Sequence, residues 1–192
     1  MKNLKYSLQY YALLLLILWA RLSAFAQITP SQDSYTNTAK PTVVYGAATT
    51  LGVASSTASI QTAYIQFDLL SVPSGYTGAN VAKATLRLYV NGVASAGSFN
   101  IHMVNGSWSE KTMTADLVPA LGTTVASSVP LTTANGNDYI SIDVTSAVSE
   151  WLNDSAPNDG LALVANSGLA ATFDSKENTS QSHSRGTRHR LQ

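Results

Sequence analysis

The stretch ATLRLYV, residues 84–90, shows the pattern on which the fold of this protein depends. Every second side chain is large and apolar (Leu86, Leu88 and Val90), and the residues between them include Arg87 and Tyr89. Successive side chains of a β-strand point to opposite faces, so this alternation is typical of a strand with one buried face. The stretch therefore predicts a strand whose Arg87 and Tyr89 side chains point away from the core.

The same period of two recurs along most of the chain, between short turns rich in Gly, Pro and Asn. The clearest segments are TAYIQFDLL (62–70), SFNIHMV (98–104), DYISIDV (138–144) and GLALVA (160–165), and weaker ones are DSYTN (33–37) and TTLGVAS (49–55). About eight to ten such strands suit two face-to-face sheets. The sequence predicts an all-β, two-sheet antiparallel β-sandwich of the jelly-roll type, in which residues 110–133 form mostly loop with one short strand.

One segment, TSAVSEWLNDS at residues 145–155, changes the period from strand to helix. Val144, Val148 and either Trp151 or Leu152 follow one another at helical spacing, and Thr145 is of a residue type that caps helix N-termini. We expect one or two helical turns that close an end of the sandwich, with Trp151 packed in the core.

The first 26 residues have the features of a secretory signal peptide. Two lysines precede an apolar run at residues 11–20, and an Ala-x-Ala pattern ends at Ala26. Arg21, between the run and the cleavage site, leaves an uncleaved anchor as the alternative. We predict cleavage and export to the extracellular space, with no membrane attachment afterwards, and a single domain over residues 27–182 followed by an atypical tail at 183–192.

Charge and cysteine content exclude several classes of function. The chain has 11 basic and 11 acidic residues, but three of the basic residues lie in the leader and three more are arginines of the last eight residues. The body of the domain is therefore acidic, which argues against a nucleic-acid partner held through its phosphates. Because the chain has no cysteine, it has no disulfide, no thiol catalysis and no thiolate zinc site.

With the strands placed, the order of motifs resembles the secreted DNRLRE domain, a bacterial and archaeal family grouped with the carbohydrate-binding modules. The matching stretches are DSYTN (33–37), YGAATTLGVAS (45–55), AYIQFDLLSVPSG (63–75), VAKATLRLYV (81–90), NGSWSEKTMT (105–114), DVTSAVSEWLND (143–154), GLALVANS (160–167) and TFDSKEN (172–178). The resemblance implies a β-sandwich jelly roll, export, and non-catalytic attachment to polysaccharide, including acidic polysaccharides such as alginate.

The tail HSRGTRHRLQ, residues 183–192, departs from that resemblance. The family continues into a final apolar strand, whereas the tail is basic and does not alternate. A shift of the reading frame by one nucleotide would explain this departure. A coding sequence for SRGTRHRL exists that encodes AAELDIVF when it is read one nucleotide out of frame, and AAELDIVF restores the period of two. We expect a tail without that strand, which leaves a neighbouring strand as an unpaired edge. The alternative hypothesis is that the basic tail binds polyanions.

Three strands supply a candidate carbohydrate-binding face through their outward positions. The face consists of Tyr64, Gln66, Arg87, Tyr89, Asn100 and His102. Aromatic rings stack on the apolar face of a pyranose, planar polar groups hydrogen-bond its hydroxyls, and Arg pairs with a carboxylate through two parallel hydrogen bonds. The face requires the three strands to lie side by side. The alternative is a polar, solvated sheet face without a binding site.

Two further alternatives to a binding module stay open. One is a structural surface or matrix domain without specific sugar binding. The other is a polysaccharide lyase, because jelly-roll lyases use Tyr, His, Arg and Gln together, but His102 is the only histidine before the tail and we expect no catalysis.

The two tryptophans after the leader and the acidic residues are the remaining candidates for sugar or calcium binding. Trp108 is either a sugar platform or a packed side chain, and the neighbouring Glu110 is expected to cap a turn. The aspartates considered as calcium ligands are Asp33, Asp68, Asp116, Asp143, Asp154, Asp159 and Asp174. NDSAPNDG, residues 153–160, lacks the spacing of a calcium loop and is expected to be a surface turn. No cofactor is predicted, and weak calcium binding is left open.

Overall fold

The computed structural model describes residues 27–179 and the backbone of Arg190–Leu191. The predicted leader and most of the predicted tail lie outside these residues. The described chain forms the strands β1 (Pro30–Asn37), β2 (Thr50–Ser55), β3 (Ile60–Phe67), β4 (Thr85–Ser95), β5 (Gly97–Asn105), β6 (Ala120–Leu131), β7 (Asp138–Asp143), β8 (Leu161–Ala165), β9 (Ala170–Asp174) and β10 (Arg190–Leu191). Helix α1 (Thr145–Leu152) lies between β7 and β8, and short 3-10 helices span Leu69–Ser71, Gly78–Asn80 and Thr133–Asn135.

All strand pairs are antiparallel, and hydrogen bonds join the described strands into one continuous ten-stranded sheet. This sheet curls so that two parts of it face each other across the core, and we call these parts the first and the second sheet. The first sheet has the order β1, β3, β8, β5, β6. The second sheet has the order β2, β9, β4, β7. Because β2 also pairs with β3 through Ala54 and Ser55, the two sheets join at one corner. The predicted all-β antiparallel sandwich is confirmed.

The core lies between the two sheets, where the alternation of the sequence placed it. Leu86, Leu88 and Val90 are fully buried. Phe99 of the first sheet meets Phe173 of the second, with ring centroids 5.7 Å apart and ring planes inclined by 68°. Aromatic pairs favour such edge-to-face geometry, which adds to the stabilisation from burying both rings. The inner faces of the two sheets therefore share one apolar core.

Helix α1 packs its apolar side into this core. Val148 and Trp151 are buried, as the helical spacing predicted. Within the part of the chain that the structure describes, no helix is long and apolar enough to cross a membrane.

The start of α1 differs from the prediction. Its N-cap is Val144 rather than Thr145, and Val144 makes no side-chain capping hydrogen bond. The Thr145 amide donates to Oδ1 of Asp143 at 2.9 Å. The Thr145 hydroxyl oxygen accepts from the amide of Ala84 at 3.0 Å, so its side chain ties the helix to the start of β4 instead of capping the helix.

Strand β6 is longer than the sequence predicted. It spans 12 residues in a region expected to be mostly loop with one short strand, so that prediction was wrong. Among the described strands β6 pairs only with β5 and forms an edge of the first sheet. Both of its faces are largely exposed, so it lacks the apolar alternation of the other strands. Pro130 is tolerated because an edge strand leaves one side of its backbone unpaired.

The two described tail residues form β10, which lies antiparallel to β4. Arg190 is opposite Arg87, and Leu191 is opposite Leu86. This is the part of β4 that β9 does not reach, since β9 pairs with residues 90–95. The expectation of an entirely unpaired edge is wrong at these two positions. The shifted reading frame stays a prediction.

Candidate functional site

The six residues of the predicted carbohydrate-binding face lie on two different sheets. Tyr64 and Gln66 are on β3, and Asn100 and His102 are on β5, with β8 between these strands in the first sheet. Arg87 and Tyr89 are on β4 in the second sheet. The predicted face required the three strands to lie side by side, and this condition is not met. Alternation shows which face a side chain occupies on its own strand, but not which strands are neighbours.

Tyr64 is covered rather than exposed. It has 3% of its surface accessible and packs with Val104, Met113 and Ala162 in a second, smaller apolar cluster on the outer side of the first sheet. The ring of Trp108 lies 5.9 Å from the Tyr64 ring, centroid to centroid. Burial raises the pKa of Tyr64, although its hydrogen bond with Thr36 opposes this. The Tyr64 ring is therefore not available as a sugar platform in this conformation.

Gln66 is held by neighbouring polar groups. Its side-chain amide donates to the carbonyl of Asn158 at 2.6 Å and contacts the side-chain amide of Gln32. Gln32 in turn donates to the carbonyl of Trp108 at 3.1 Å. These contacts join β3, β1 and the segment after β5, so Gln66 has a structural role.

Asn100 and His102 lie on the more open part of the first sheet and are half-buried. Oδ1 of Asn100 accepts from the Ser128 amide at 2.8 Å and from the Asn166 side chain at 3.3 Å. Nδ1 of His102 lies 3.2 Å from the Thr124 hydroxyl oxygen. Asn100 thus holds the irregular pairing of β5 with β6, and Nδ1 of His102 adds a contact between the same two strands.

Arg87 and Tyr89 form a compact cluster with Tyr139 of β7, which is not among the six residues of the predicted binding face. The guanidinium carbon of Arg87 lies 4.3 Å from the centroid of the Tyr139 ring. The Tyr89 and Tyr139 rings are 5.0 Å apart at 72°. We call Arg87, Tyr89 and Tyr139 the arginine–tyrosine cluster. Tyr139 occupies an outward position of DYISIDV, so the alternation could have identified it, but only the pairing of Tyr89 with Tyr139 shows the contact.

The members of the arginine–tyrosine cluster differ in exposure. Arg87 and Tyr139 are half-buried, whereas Tyr89 has only 7% of its surface accessible. Tyr89 is therefore the covered member of the cluster, and Arg87 and Tyr139 are its partly accessible members. A guanidinium stacked on a ring keeps its outer N–H groups free for a carboxylate.

Both tryptophans after the leader have structural positions. Trp151 is buried in the main core, as predicted. Nε1 of Trp108 donates to the carbonyl of Asp159 at 2.8 Å, and the ring packs on the second apolar cluster. The sequence left two readings of Trp108, and these contacts favour the packed one.

Three carboxylates from distant parts of the sequence meet at the edge of the sandwich. Asp33, Glu110 and Glu177 each place an oxygen within 4.8 Å of the others, and we call them the carboxylate cluster. Glu110 accepts from the Asp33 amide at 3.0 Å instead of capping a turn of its own segment. The Lys176 ammonium lies 3.0 Å from Oε2 of Glu110 and also contacts Glu177. Of these residues only Asp33 was considered as a calcium ligand from the sequence, because no local spacing connects positions 33, 110 and 177.

The carboxylate cluster has unusual electrostatics. Burial raises the pKa of Asp33 from 3.8 to about 8, the hydrogen bond from the Lys176 amide opposes this, and the charge of Glu177 adds to it. Burial alone lowers the pKa of Lys176, but its contacts with Glu177 and Glu110 raise it overall. The ammonium is thus held firmly in its charged form beside an excess of carboxylates.

The loop NDSAPNDG makes hydrogen bonds to its own surroundings. Asp159 Oδ2 accepts from the Gly106 amide at 2.8 Å, and the Asn158 side chain donates to the Phe67 carbonyl at 2.8 Å. This agrees with the prediction of a surface turn. Beside it, a shallow pocket of about 180 Å³ is lined by residues that include Asn105, Thr123 and Glu150.

Two-layer antiparallel folds of this kind occur in lectin domains. The model of carbohydrate-binding module family 96 matches residues 24–184, which is most of the chain. The chain therefore belongs to carbohydrate-binding module family 96. Modules of such families are typically non-catalytic. No curated protein matches the chain.

Proposed function

We propose that this protein is a secreted, non-catalytic module that attaches to an extracellular polysaccharide, and that the polysaccharide is acidic. Membership of a carbohydrate-binding family supports the general role. The predicted signal peptide at residues 1–26 supports export. The observation that carries the choice of an acidic polymer is the arginine–tyrosine cluster on the outer face of the second sheet.

The cluster combines the two groups that a uronate residue needs. The Arg87 guanidinium is positioned by the Tyr139 ring at 4.3 Å and can take a carboxylate through two parallel hydrogen bonds. The accessible part of the Tyr139 ring offers an apolar surface to the C–H face of a sugar. Tyr89 packs edge-to-face against Tyr139 on the same face of the sheet. Because this contact already restricts the Tyr139 ring, the site loses little conformational entropy on binding.

The lyase alternative has less support than the binding module. The chemistry requires Tyr, His, Arg and Gln at one place, but Arg87 lies in the second sheet and His102 in the first. Tyr64 and Gln66 are engaged in packing and hydrogen bonds. A structural matrix domain without specific sugar binding is the remaining alternative.

Affinity electrophoresis of the leader-free protein in gels containing alginate, polygalacturonate, a neutral β-glucan or no polymer tests the proposal. We expect retardation by the uronate polymers alone. Arg87→Ala should weaken it about tenfold or more, because a charge-assisted bidentate pair contributes roughly 1.5–3 kcal/mol. Arg87→Lys, which keeps the charge but loses the planar fork, should give an intermediate result.

Two further arms make the experiment decisive. Lys40→Ala removes an exposed charge from the loop after β1 and serves as the matched control, with retardation unchanged. His102→Ala decides whether the first sheet takes part in binding. Retardation that survives Arg87→Ala but not His102→Ala would move the site to the first sheet, and no retardation by any polymer would favour the structural domain. Release of unsaturated uronates, followed by absorbance, would establish a lyase.

A further inference from the structure

We infer that the carboxylate cluster of Asp33, Glu110 and Glu177 binds a divalent cation of the calcium type, which ties together β1, the segment after β5 and the loop after β9. This inference does not depend on the proposed polysaccharide binding.

The first support is geometric. The three side chains each offer an oxygen, and these oxygens lie within 4.8 Å of one another. Calcium binds six to eight oxygens at about 2.3–2.6 Å, so two of its ligands are at most about 5 Å apart. These separations are compatible with three carboxylates that share one ion, and water can complete its coordination.

The second support is a buried oxygen with no donor. Asp33 has 1% of its surface accessible, and its Oδ2 accepts from the Lys176 amide at 2.7 Å. Its Oδ1 has no hydrogen-bond partner among the described residues, and the same holds for the buried Oε2 of Glu177. Burial of an unpaired carboxylate oxygen is costly, so such oxygens are normally hydrogen-bonded or bind metal.

The third support is the balance of charge. The cluster contains three carboxylates, and among the described residues the one ammonium in contact with it is that of Lys176. With all groups ionised two negative charges remain uncompensated, and a divalent cation would neutralise them.

A shared proton is the competing explanation for the facing oxygens. Asp33 and Glu177 can hydrogen bond to each other only if one of them is protonated. The proton involves Asp33 and Glu177 alone, whereas a divalent cation would engage all three carboxylates, including Glu110, which the Asp33 amide and the Lys176 ammonium hold beside them.

Calorimetric titration of the chelator-treated, leader-free protein with CaCl2, together with thermal unfolding, distinguishes these explanations. We expect saturable binding of about one ion and a Tm raised by about 5–10 °C at 100-fold excess over Kd, since the ion binds only the folded state. MgCl2 should give a much smaller shift because Mg²⁺ requires tighter octahedral geometry. Asp33→Asn should abolish both signals, and Asp116→Asn, which changes an exposed carboxylate outside the cluster, should abolish neither.

The outcomes separate clearly. Glu177→Gln should also remove calcium binding, and it keeps the inference testable if Asp33→Asn fails to fold. Absence of calcium binding to the wild-type protein would overturn the inference and leave the shared proton. Equal calcium-induced shifts in Asp33→Asn and the wild type, or equal shifts with Mg²⁺ and Ca²⁺, would also overturn it.

Discussion

The guanidinium carbon of Arg87 lies 4.3 Å from the centroid of the Tyr139 ring, across the antiparallel pair of β4 and β7. The two residues are not directly opposite each other, because Tyr139 pairs with Tyr89 and Arg87 pairs with Ser141. Long side chains commonly reach such diagonal neighbours on one face of a sheet. The position of the cationic group in the proposed site is therefore set by a neighbouring strand.

Tyr139 should act through its ring and not through its hydroxyl. The hydroxyl oxygen is buried and has no hydrogen-bond partner among the described residues. Tyr139→Phe should therefore leave polysaccharide retardation unchanged and keep or raise the free energy of unfolding, by up to about 1 kcal/mol. Tyr139→Ala should weaken retardation, because the guanidinium loses its support. Urea denaturation and affinity electrophoresis measure the two effects, and weaker binding by Tyr139→Phe would contradict the assigned role.

Trp108 should contribute to stability but not to sugar binding. Trp108→Phe removes the hydrogen bond to the Asp159 carbonyl and part of the contact with Tyr64. We expect a loss of about 1–2 kcal/mol in the free energy of unfolding, measured by urea denaturation, and unchanged retardation in polysaccharide gels. Retardation lost in a variant that stays folded would restore Trp108 as a sugar platform.

The contact of Phe99 with Phe173 should be essential to the fold. Phe99→Ala leaves a cavity between the two sheets, and we expect a loss of about 3–5 kcal/mol in the free energy of unfolding. Tyr76→Ala is the matched control, because Tyr76 is 46% exposed, and surface changes of this kind usually alter stability by less than about 0.5 kcal/mol. Denaturant unfolding of both variants checks the difference. Similar losses in the two variants would contradict a core placed between the sheets.

Gly46 should be required to position Glu110. A Cβ at residue 46 would lie 2.0 Å from the Glu110 carbonyl oxygen, so Gly46→Ala must displace backbone that carries a member of the carboxylate cluster. We expect lower stability, by roughly 1–3 kcal/mol, and a smaller calcium-induced rise in Tm. Gly92→Ala is the control, since its Cβ would meet no atom closer than 3.9 Å. A full calcium response in Gly46→Ala would argue against Glu110 as a ligand.

Local patterns in the sequence were sufficient for most of the secondary structure. The alternation of ATLRLYV predicted that Leu86 and Leu88 are buried, and helical spacing predicted the burial of Trp151. These predictions hold because a strand or helix with one buried face requires apolar residues at its own period. Strand β6 was missed because an edge strand with two exposed faces carries no such requirement.

The candidate sites depended on contacts between segments that are distant in the chain. The sequence by itself determined the all-β class, the inward positions and the outward direction of Arg87 and Tyr89. Only the tertiary structure decided that Arg87 lies on a different sheet from His102, that Tyr64 is covered, and that Asp33 meets Glu110 and Glu177. The physical reason is that periodicity records which face of its own strand a residue occupies, whereas the choice of neighbouring strands depends on how the two sheets close around their shared core.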